Sequence, residues 1–340
     1  MDLFSAIDIP VLSAPMPGGP STPELVAALA SCGGSGFLGA GYGPAEKLRG
    51  QIQRTRELTP KPFGVNVFVP GAVDREATEP VLARYRQLLA DEAGRWQVEL
   101  PEPQWHDTTY FEDKIDLLAA EPVPVVTFTF GIPPAGVIER LQEAGSTVGV
   151  TVTDPTEAAS ADAAGADFLC VQAATAGGHR STHSVAAEPN DLALVPLLQQ
   201  VRPVTSLPLV GAGGVTTAAD VRAALDAGAT AVQVGSALLR TPESGANPAY
   251  KDALADPQRE ATVVSRAFTG RPARMLRNAF TDTYGPQAPA AFPMVQQVLA
   301  QLRAAATSAG DTDAQPMYAG IGHLSARDVP AAEVVRDLVP

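Results

Sequence analysis

Cysteine is scarce in this chain of 340 residues: the two present, Cys32 and Cys170, lie far apart in apolar surroundings. With no CxxC pair, they exclude a disulfide framework and a thiolate zinc site, and they read as core residues. Histidine is almost as rare, at His106, His179, His183 and His323. His179 and His183 have the spacing of a helical zinc pair, but no Glu separates them and Gly177-Gly178 oppose a helix, so no metal is expected. No apolar run approaches the roughly 18 residues of a membrane span. The opening Met-Asp-Leu-Phe-Ser also lacks the basic and apolar regions of a secretory signal, so a cytoplasmic protein with no membrane partner is expected. Basic residues are outnumbered, 24 Lys and Arg against 37 Asp and Glu, for a net charge of −13. No basic run interrupts that excess, which excludes a nucleic-acid partner while leaving room for a small anion.

What is present is a repeating strand-then-helix pattern. Ile9 to Ser13 reads as a first strand, followed by Ala14-Pro-Met-Pro-Gly-Gly19 and a helix opened by the capping box Ser21-Thr-Pro-Glu24. Gly36 to Gly39 is a second strand, with a helix from Pro44 to about Leu58. The glycines of residues 34 to 39 match the letters of a dinucleotide fingerprint, but they surround a strand where that fingerprint must follow one, so it is discarded. Pro62 to Val69 is a third strand, with Asn66 inside it. A buried asparagine needs partners, supplied either by neighbouring polar groups or by a ligand.

Residues 70 to 121 read as an insertion with helices near 74–92 and 111–120. Strands follow at Val123 to Phe130, Thr147 to Val152, Ala166 to Val171, Leu207 to Ala212 and Thr230 to Val234. Asp154-Pro-Thr-Glu157 repeats the capping device, and a helix is expected over 217–227. Eight such units predict an α/β protein, a (β/α)8 barrel, with glycine-rich turns after the last two strands where barrels often bind phosphate. A doubly wound sheet fits the same pattern. The expected division is a barrel over residues 1–240 and a C-terminal extension over 241–340 packed on it, with helices near 248–255, 292–306 and 327–337. Arg266, Arg271, Arg274 and Arg277 in that extension form a local basic cluster that reads as a solvated helix face, with a ligand role as the alternative.

Chemistry concentrates in Gln172-Ala-Ala-Thr-Ala-Gly-Gly-His-Arg180, which leaves the sixth strand at its C-terminal end, where α/β enzymes keep their sites. The adjacent glycines admit a ligand close to the backbone, and their amides suit an anion. His179 follows directly as the candidate catalytic residue.

Six segments in order, Ala14-Pro-Met16, Pro62 to Asn66, Phe128 to Pro133, Ala176-Gly-Gly-His179, Gly211 to Gly214 and Ala231 to Ser236, resemble the nitronate monooxygenase family. The resemblance spans about residues 9 to 240. It implies a TIM barrel holding flavin mononucleotide (FMN), with Gly213, Gly214, Gly235 and Ser236 at the phosphate. Gln172, Asn66 and Gln233 are implied along the flavin or its ribityl chain, next to Val234, with Gly177 and Gly178 against the cofactor and Met16 on the floor. His179 matches the family's active-site histidine, as base or anion-binding group. The implied reaction is oxidation of an alkyl nitronate by O2 to a carbonyl compound and nitrite. Thr175 stands where the family has Glu before Ala-Gly-Gly-His, with Ala173 and Ser181 in place of glycines, which bears on substrate identity. A homodimer through the extension is compatible with the chain.

Two other readings share these residues. Flavin-dependent enoyl-acyl-carrier-protein reductases carry similar Pro-Phe-Gly-Val-Asn and Ala-Gly-Gly-His segments and a stretch like Asn247 to Lys251. A flavin-binding barrel with a drifted catalytic loop is the non-enzymatic reading, and His179 argues against it.

Overall fold

The computed structural model describes residues 3–340, so Met1 and Asp2 of the opening segment lie outside the described residues. Its strands in chain order are β1 (Val11–Ser13), β2 (Phe37–Gly39), β3 (Gly64–Phe68), β4 (Val125–Thr129), β5 (Thr147–Val152), β6 (Phe168–Gln172), β7 (Gly178–His179), β8 (Leu209–Ala212), β9 (Ala231–Val234), β10 (Thr262–Ser265) and β11 (Ala273–Leu276). The helices are α1 (Pro23–Ser31), α2 (Ala45–Leu58), α3 (Arg75–Leu88), α4 (Ala90–Trp96), α5 (Phe111–Ala120), α6 (Val137–Glu143), α7 (Pro155–Ala163), α8 (Leu194–Val201), α9 (Ala218–Asp226), α10 (Pro248–Ala255), α11 (Ala279–Tyr284), α12 (Met294–Val298), α13 (Ala300–Ala309) and α14 (Ala331–Leu338).

Eight strands form one parallel sheet in the order β1-β9-β8-β6-β5-β4-β3-β2. The sheet curls until its two ends meet. Leu12 bridges Ser35 in parallel, Ser13 N donates to Ser35 O at 3.0 Å, and Phe37 N donates to the Ser13 hydroxyl at 3.1 Å. This is the expected barrel, and the closing contact removes the doubly wound alternative.

Period-two alternation then sorts the side chains. Outward residues such as Val65, Val67, Val126 and Val148 join the helices in the largest apolar cluster. Inward residues at the base, Leu12, Phe37, Val125, Phe168, Cys170, Val210 and Ala231, form a separate plug. Two glycines make room for its rings. A Cβ on Gly64 would lie 2.2 Å from the Phe37 ring, and one on Gly149 would lie 2.4 Å from the Phe168 ring. One step further up, the inward positions turn polar: Asn66, Thr127, Thr129, Thr151, Gln172 and Gln233. The barrel is thus dry at one end and hydrogen-bonding at the other.

Helix starts differ in detail from the sequence reading. The first cap is Thr22, which accepts from Leu25 N, while the Ser21 hydroxyl accepts from Met16 N at 2.8 Å and shapes the loop after β1. Asp154 caps α7, but Glu157 turns elsewhere and accepts from His183 N at 2.7 Å. A reciprocal capping box occurs at Thr217 and Asp220.

The helix expected over 74–92 is two, α3 and α4, joined at Leu89, and 292–306 is likewise divided at Leu299 into α12 and α13. Insertion and extension share a core in which Leu82, Tyr85 and Leu89 meet Phe268, Met275, Met294 and Leu302, and the Tyr85 hydroxyl donates to Ala267 O at 2.7 Å. The extension also contains a hairpin, β10 and β11, and β11 pairs antiparallel with β7. Residues 262 to 276 are therefore strands and a turn. Arg266 pairs with Glu188, Arg277 pairs with Asp282, Arg274 is half-buried and Arg271 is buried, which corrects the reading of a solvated helix face. Among the described residues, no helix is long and apolar enough to cross a membrane, and no group of His, Cys, Asp and Glu is arranged to hold a metal.

The plug supplies a stability test. Gly149→Ala forces its new methyl into the Phe168 ring and is expected to destabilise the fold by about 1–3 kcal/mol. Gly50→Ala, in the exposed middle of α2 with open space around it, is expected to stabilise by about 0.5–1 kcal/mol. Denaturant midpoints of the two variants should move in opposite directions.

Candidate active site

The polar ends of the strands open into a cavity of about 660 Å³, a size suited to a cofactor together with a small substrate. Met16, Asn66, Gln172, Gly177, Gly178, His179, Gly213, Gly214, Gln233, Val234, Gly235 and Ser236 all line it. The structure therefore brings together every site residue singled out from the sequence. Their surroundings differ.

Gln172 is committed to the protein itself: Nε2 donates to His179 O and Oε1 accepts from Ser181 N, each at 2.9 Å. It clamps the two ends of the loop that carries the histidine. Gly177 is required by packing, since a Cβ there would lie 2.5 Å from Gly320 N. Gly178, with φ +83 and no atom within 4 Å of where a Cβ would stand, leaves open space over the backbone. Asn66 is buried and directs Nδ2 at the Thr127 and Thr129 hydroxyls, 3.0 and 2.9 Å away, and Thr129 continues to the Thr151 hydroxyl at 3.2 Å. Gln233 is buried too, but its Nε2 has no hydrogen-bond partner, and neither has the Thr175 hydroxyl. Such buried orphans carry a desolvation cost that a bound polar group would relieve.

At one end stand the glycine turns. Gly213 and Gly214 have φ +113 and +78, and their missing side chains leave space filled by Thr175 and Ala176. Ser236 Oγ accepts from Gly320 N at 2.8 Å, so its own proton remains to be donated. Just before α9, Asp220 accepts from Thr216 N and Thr217 N at 2.9 and 2.8 Å, which fixes the turn that leads from Gly213-Gly214 into the helix.

At the other end, His179 is enclosed by rings: Phe130 at 5.6 Å, Phe292 at 5.8 Å and Tyr318 at 5.4 Å between centroids. Nε2 lies 3.0 Å from the Thr269 hydroxyl. Arg271 stacks over Phe130 at 3.9 Å and donates to Thr182 O at 2.6 Å. By surface His179 is only half-buried, opening on the cavity, yet protein surrounds the ring closely. Desolvation first, then Arg271 and Arg303, push its pKa down to about 3. Both causes favour the neutral imidazole over the imidazolium.

Tyr42, Phe68, Phe130, Gln296, Arg303 and Tyr318 also line the cavity and were absent from the sequence reading. Phe130, in the left-handed region at φ +80, and Phe68 come from strand ends; the last three come from the extension. The β-branched run Thr262-Val-Val264 and the Gly270-Arg-Pro272 turn were the available signals for the hairpin that carries Thr269 and Arg271. Arg303 is the one formally charged side chain among the described lining residues, and no carboxylate lines the cavity. In a protein of net charge −13, that local composition suits an anionic ligand.

Comparison with known proteins agrees over the whole length. The family model described as nitronate monooxygenase matches residues 2–340. The nitronate monooxygenase of Pseudomonas aeruginosa is 37% identical over 340 residues, covering 98% of this chain and 96% of that protein. A probable nitronate monooxygenase of Staphylococcus aureus is 33% identical, covering 98% and 94%. Among solved structures, the nitroalkane oxidase of Streptomyces ansochromogenes superposes with a TM-score of 0.94 at 43% identity, over 99% of this chain and 96% of that one. FabK of Thermotoga maritima superposes less closely, with a TM-score of 0.74 at 25% identity, over 98% and 93%. The fold, the strand-end motifs and these full-length matches agree: the chain belongs to the nitronate monooxygenase family, whose members are flavin-dependent oxidoreductases.

Proposed function

We propose that this enzyme binds FMN and oxidises preformed alkyl nitronates, two nitronate anions and one O2 giving two carbonyl compounds and two nitrites. The observation that carries the reading is the carboxylate-free cavity that joins the glycine turns at one end to His179 at the other.

The residues present fit the cofactor. The amides of Gly213, Gly214 and Gly235 and the Ser236 hydroxyl would hold its phosphate. Gln233 Nε2, now without a partner, would donate to it, and Asn66, whose Nδ2 is taken up by threonines, would offer its carbonyl oxygen. Gly178 leaves room for the flavin to approach the backbone. When bound, the flavin takes an electron from the nitronate and passes one to O2.

The protein's own part is to place an anion and keep water out. A base as weak as this histidine is poorly matched to removing a proton from a carbon acid, for which the pKa should lie near the working pH. No carboxylate lines the cavity to raise it. His179 therefore serves as a hydrogen-bond donor to the nitronate, in a slot walled by Phe68, Phe130 and Phe292. Arg271 and Arg303 add a positive field without contributing a proton.

Oxygen uptake by the FMN-loaded protein, with nitrite assayed in the same vessel, tests the reading. Propionate 3-nitronate should give rapid uptake with nitrite. A folded, flavin-loaded protein that consumes no oxygen with any nitronate, or that is reduced by NADH or NADPH in preference, would refute it. Neutral nitroalkanes should be slower than their nitronates by about 100-fold or more, the usual scale of missing general-base catalysis. His179→Asn should retain FMN and lose about 10- to 100-fold in kcat/KM, as expected for one hydrogen bond to a charged group. In wild type, kcat/KM for a nitronate should show no titration near the ordinary histidine value of about 6.5, because the lowered pKa keeps His179 neutral well below it.

A further inference from the structure

Thr269 grips His179 from outside the barrel. Its Oγ1 lies 3.0 Å from Nε2, and the residue is buried in the turn between β10 and β11. That turn is firmly built. Thr269 N and Gly270 N both donate to Arg266 O, at 3.2 and 2.8 Å, and Gly270 has φ +81 with the Ala291 backbone 2.6 Å from where a Cβ would stand. Ala291 N closes the contact by donating to Gly270 O at 3.1 Å.

A threonine hydroxyl has one proton to give and two lone pairs. Arg271 N donates to Thr269 Oγ1 at 3.4 Å and occupies one of them. The proton has two acceptors in reach, His179 Nε2 at 3.0 Å and Arg271 O at 3.3 Å. The two choices leave opposite imidazoles. If Arg271 O takes the proton, Nε2 must carry its own hydrogen and Nδ1 presents a lone pair. If Nε2 takes it, Nδ1 carries the hydrogen. The shorter contact favours the second, and so does the cavity. With Nε2 committed to the buried wall, Nδ1 is the ring nitrogen left for a ligand. A lone pair there would repel the anion that the carboxylate-free lining and Arg303 attract, whereas an N–H binds it.

We propose that Thr269 is a positioning residue that donates its hydroxyl proton to Nε2 of His179, fixing the Nδ1–H tautomer whose N–H is offered to the nitronate. The assignment rests on the nitronate reading above and adds a second residue to it. Gln172 holds the backbone of the loop, Thr269 sets the ring, and Phe130, Phe292 and Tyr318 limit its tilt.

The direct test is nitrogen-15 NMR of FMN-loaded protein carrying labelled histidine, in which His179 is identified among the four imidazoles by its disappearance in His179→Asn. Wild type should show a protonated Nδ1 and an unprotonated Nε2 at neutral pH. Thr269→Ser should keep that pattern and stay within about threefold of wild-type kcat/KM. Thr269→Val should show a mixed or inverted pattern and lose about tenfold, the scale of one hydrogen bond. A protonated Nε2 or rapid averaging in wild type overturns the proposal, whether or not either variant folds. So does an unchanged kcat/KM in a folded Thr269→Val. If the tautomer is as proposed but no nitronate is turned over, the functional reading fails and the Thr269 assignment stands.

Discussion

The short antiparallel pairing of β7 with β11 is the contact on which the site depends. Gly178 and His179 leave the barrel rim as a loop, and a loop alone would not hold an imidazole in one place. Register with Arg274 and Ala273 turns two of its residues into a strand, and Arg180 N, donating to Pro272 O at 2.7 Å, extends the grip by one more residue. The extension is thus a wall of the active site and not an appendage. Its shared core with the insertion, from Tyr85 to Leu302, anchors that wall to the barrel side.

The second constraint is electrostatic. An anion must enter a protein whose formal charge is already −13. The cavity meets this by leaving carboxylates out of its lining, among the described residues, and by placing guanidinium groups near the histidine, with Arg271 stacked over the Phe130 ring that the histidine also meets. Burying Arg271 lowers its own pKa to about 10, with desolvation the largest cause, yet leaves it charged at neutral pH. The same charge that attracts an anion adds to desolvation, the larger cause, in disfavouring the imidazolium. Attraction and proton transfer are separated, and the site is left suited to the first.

Much of the barrel was legible because periodicity and turn chemistry are local. Strands such as Pro62 to Val69 announced themselves as short apolar runs, and Gly213-Gly214 and Gly235-Ser236 by their position after such runs. The twelve residues named from the sequence converge on one cavity because all of them lie on or just beyond strand ends. What escaped came from irregular chain. Thr269 meets His179 across 90 positions of sequence, and no local pattern encodes such a contact. The arginines of the extension suggest a solvated helix by their charge, whereas the alternation of Thr262 to Leu276 around them belongs to strands. Gln172 shows the converse limit: its place was legible, but not that both ends of its amide serve the loop.

The close approach of Gly177 to Gly320 has a consequence for biogenesis. Residues 317–319 run beside β11, and Gly320 and Gly322 complete the cavity wall. The pocket is thus closed by residues separated from its first contributors by almost the whole chain. While the ribosome still shields that segment, the eight strands have all emerged but the chamber lacks a side. Closure of the pocket is consequently a late event, following translation of the extension, and a stalled or clipped chain ending before residue 317 would be a barrel whose chamber lacks the wall of Tyr318, Gly320 and Gly322.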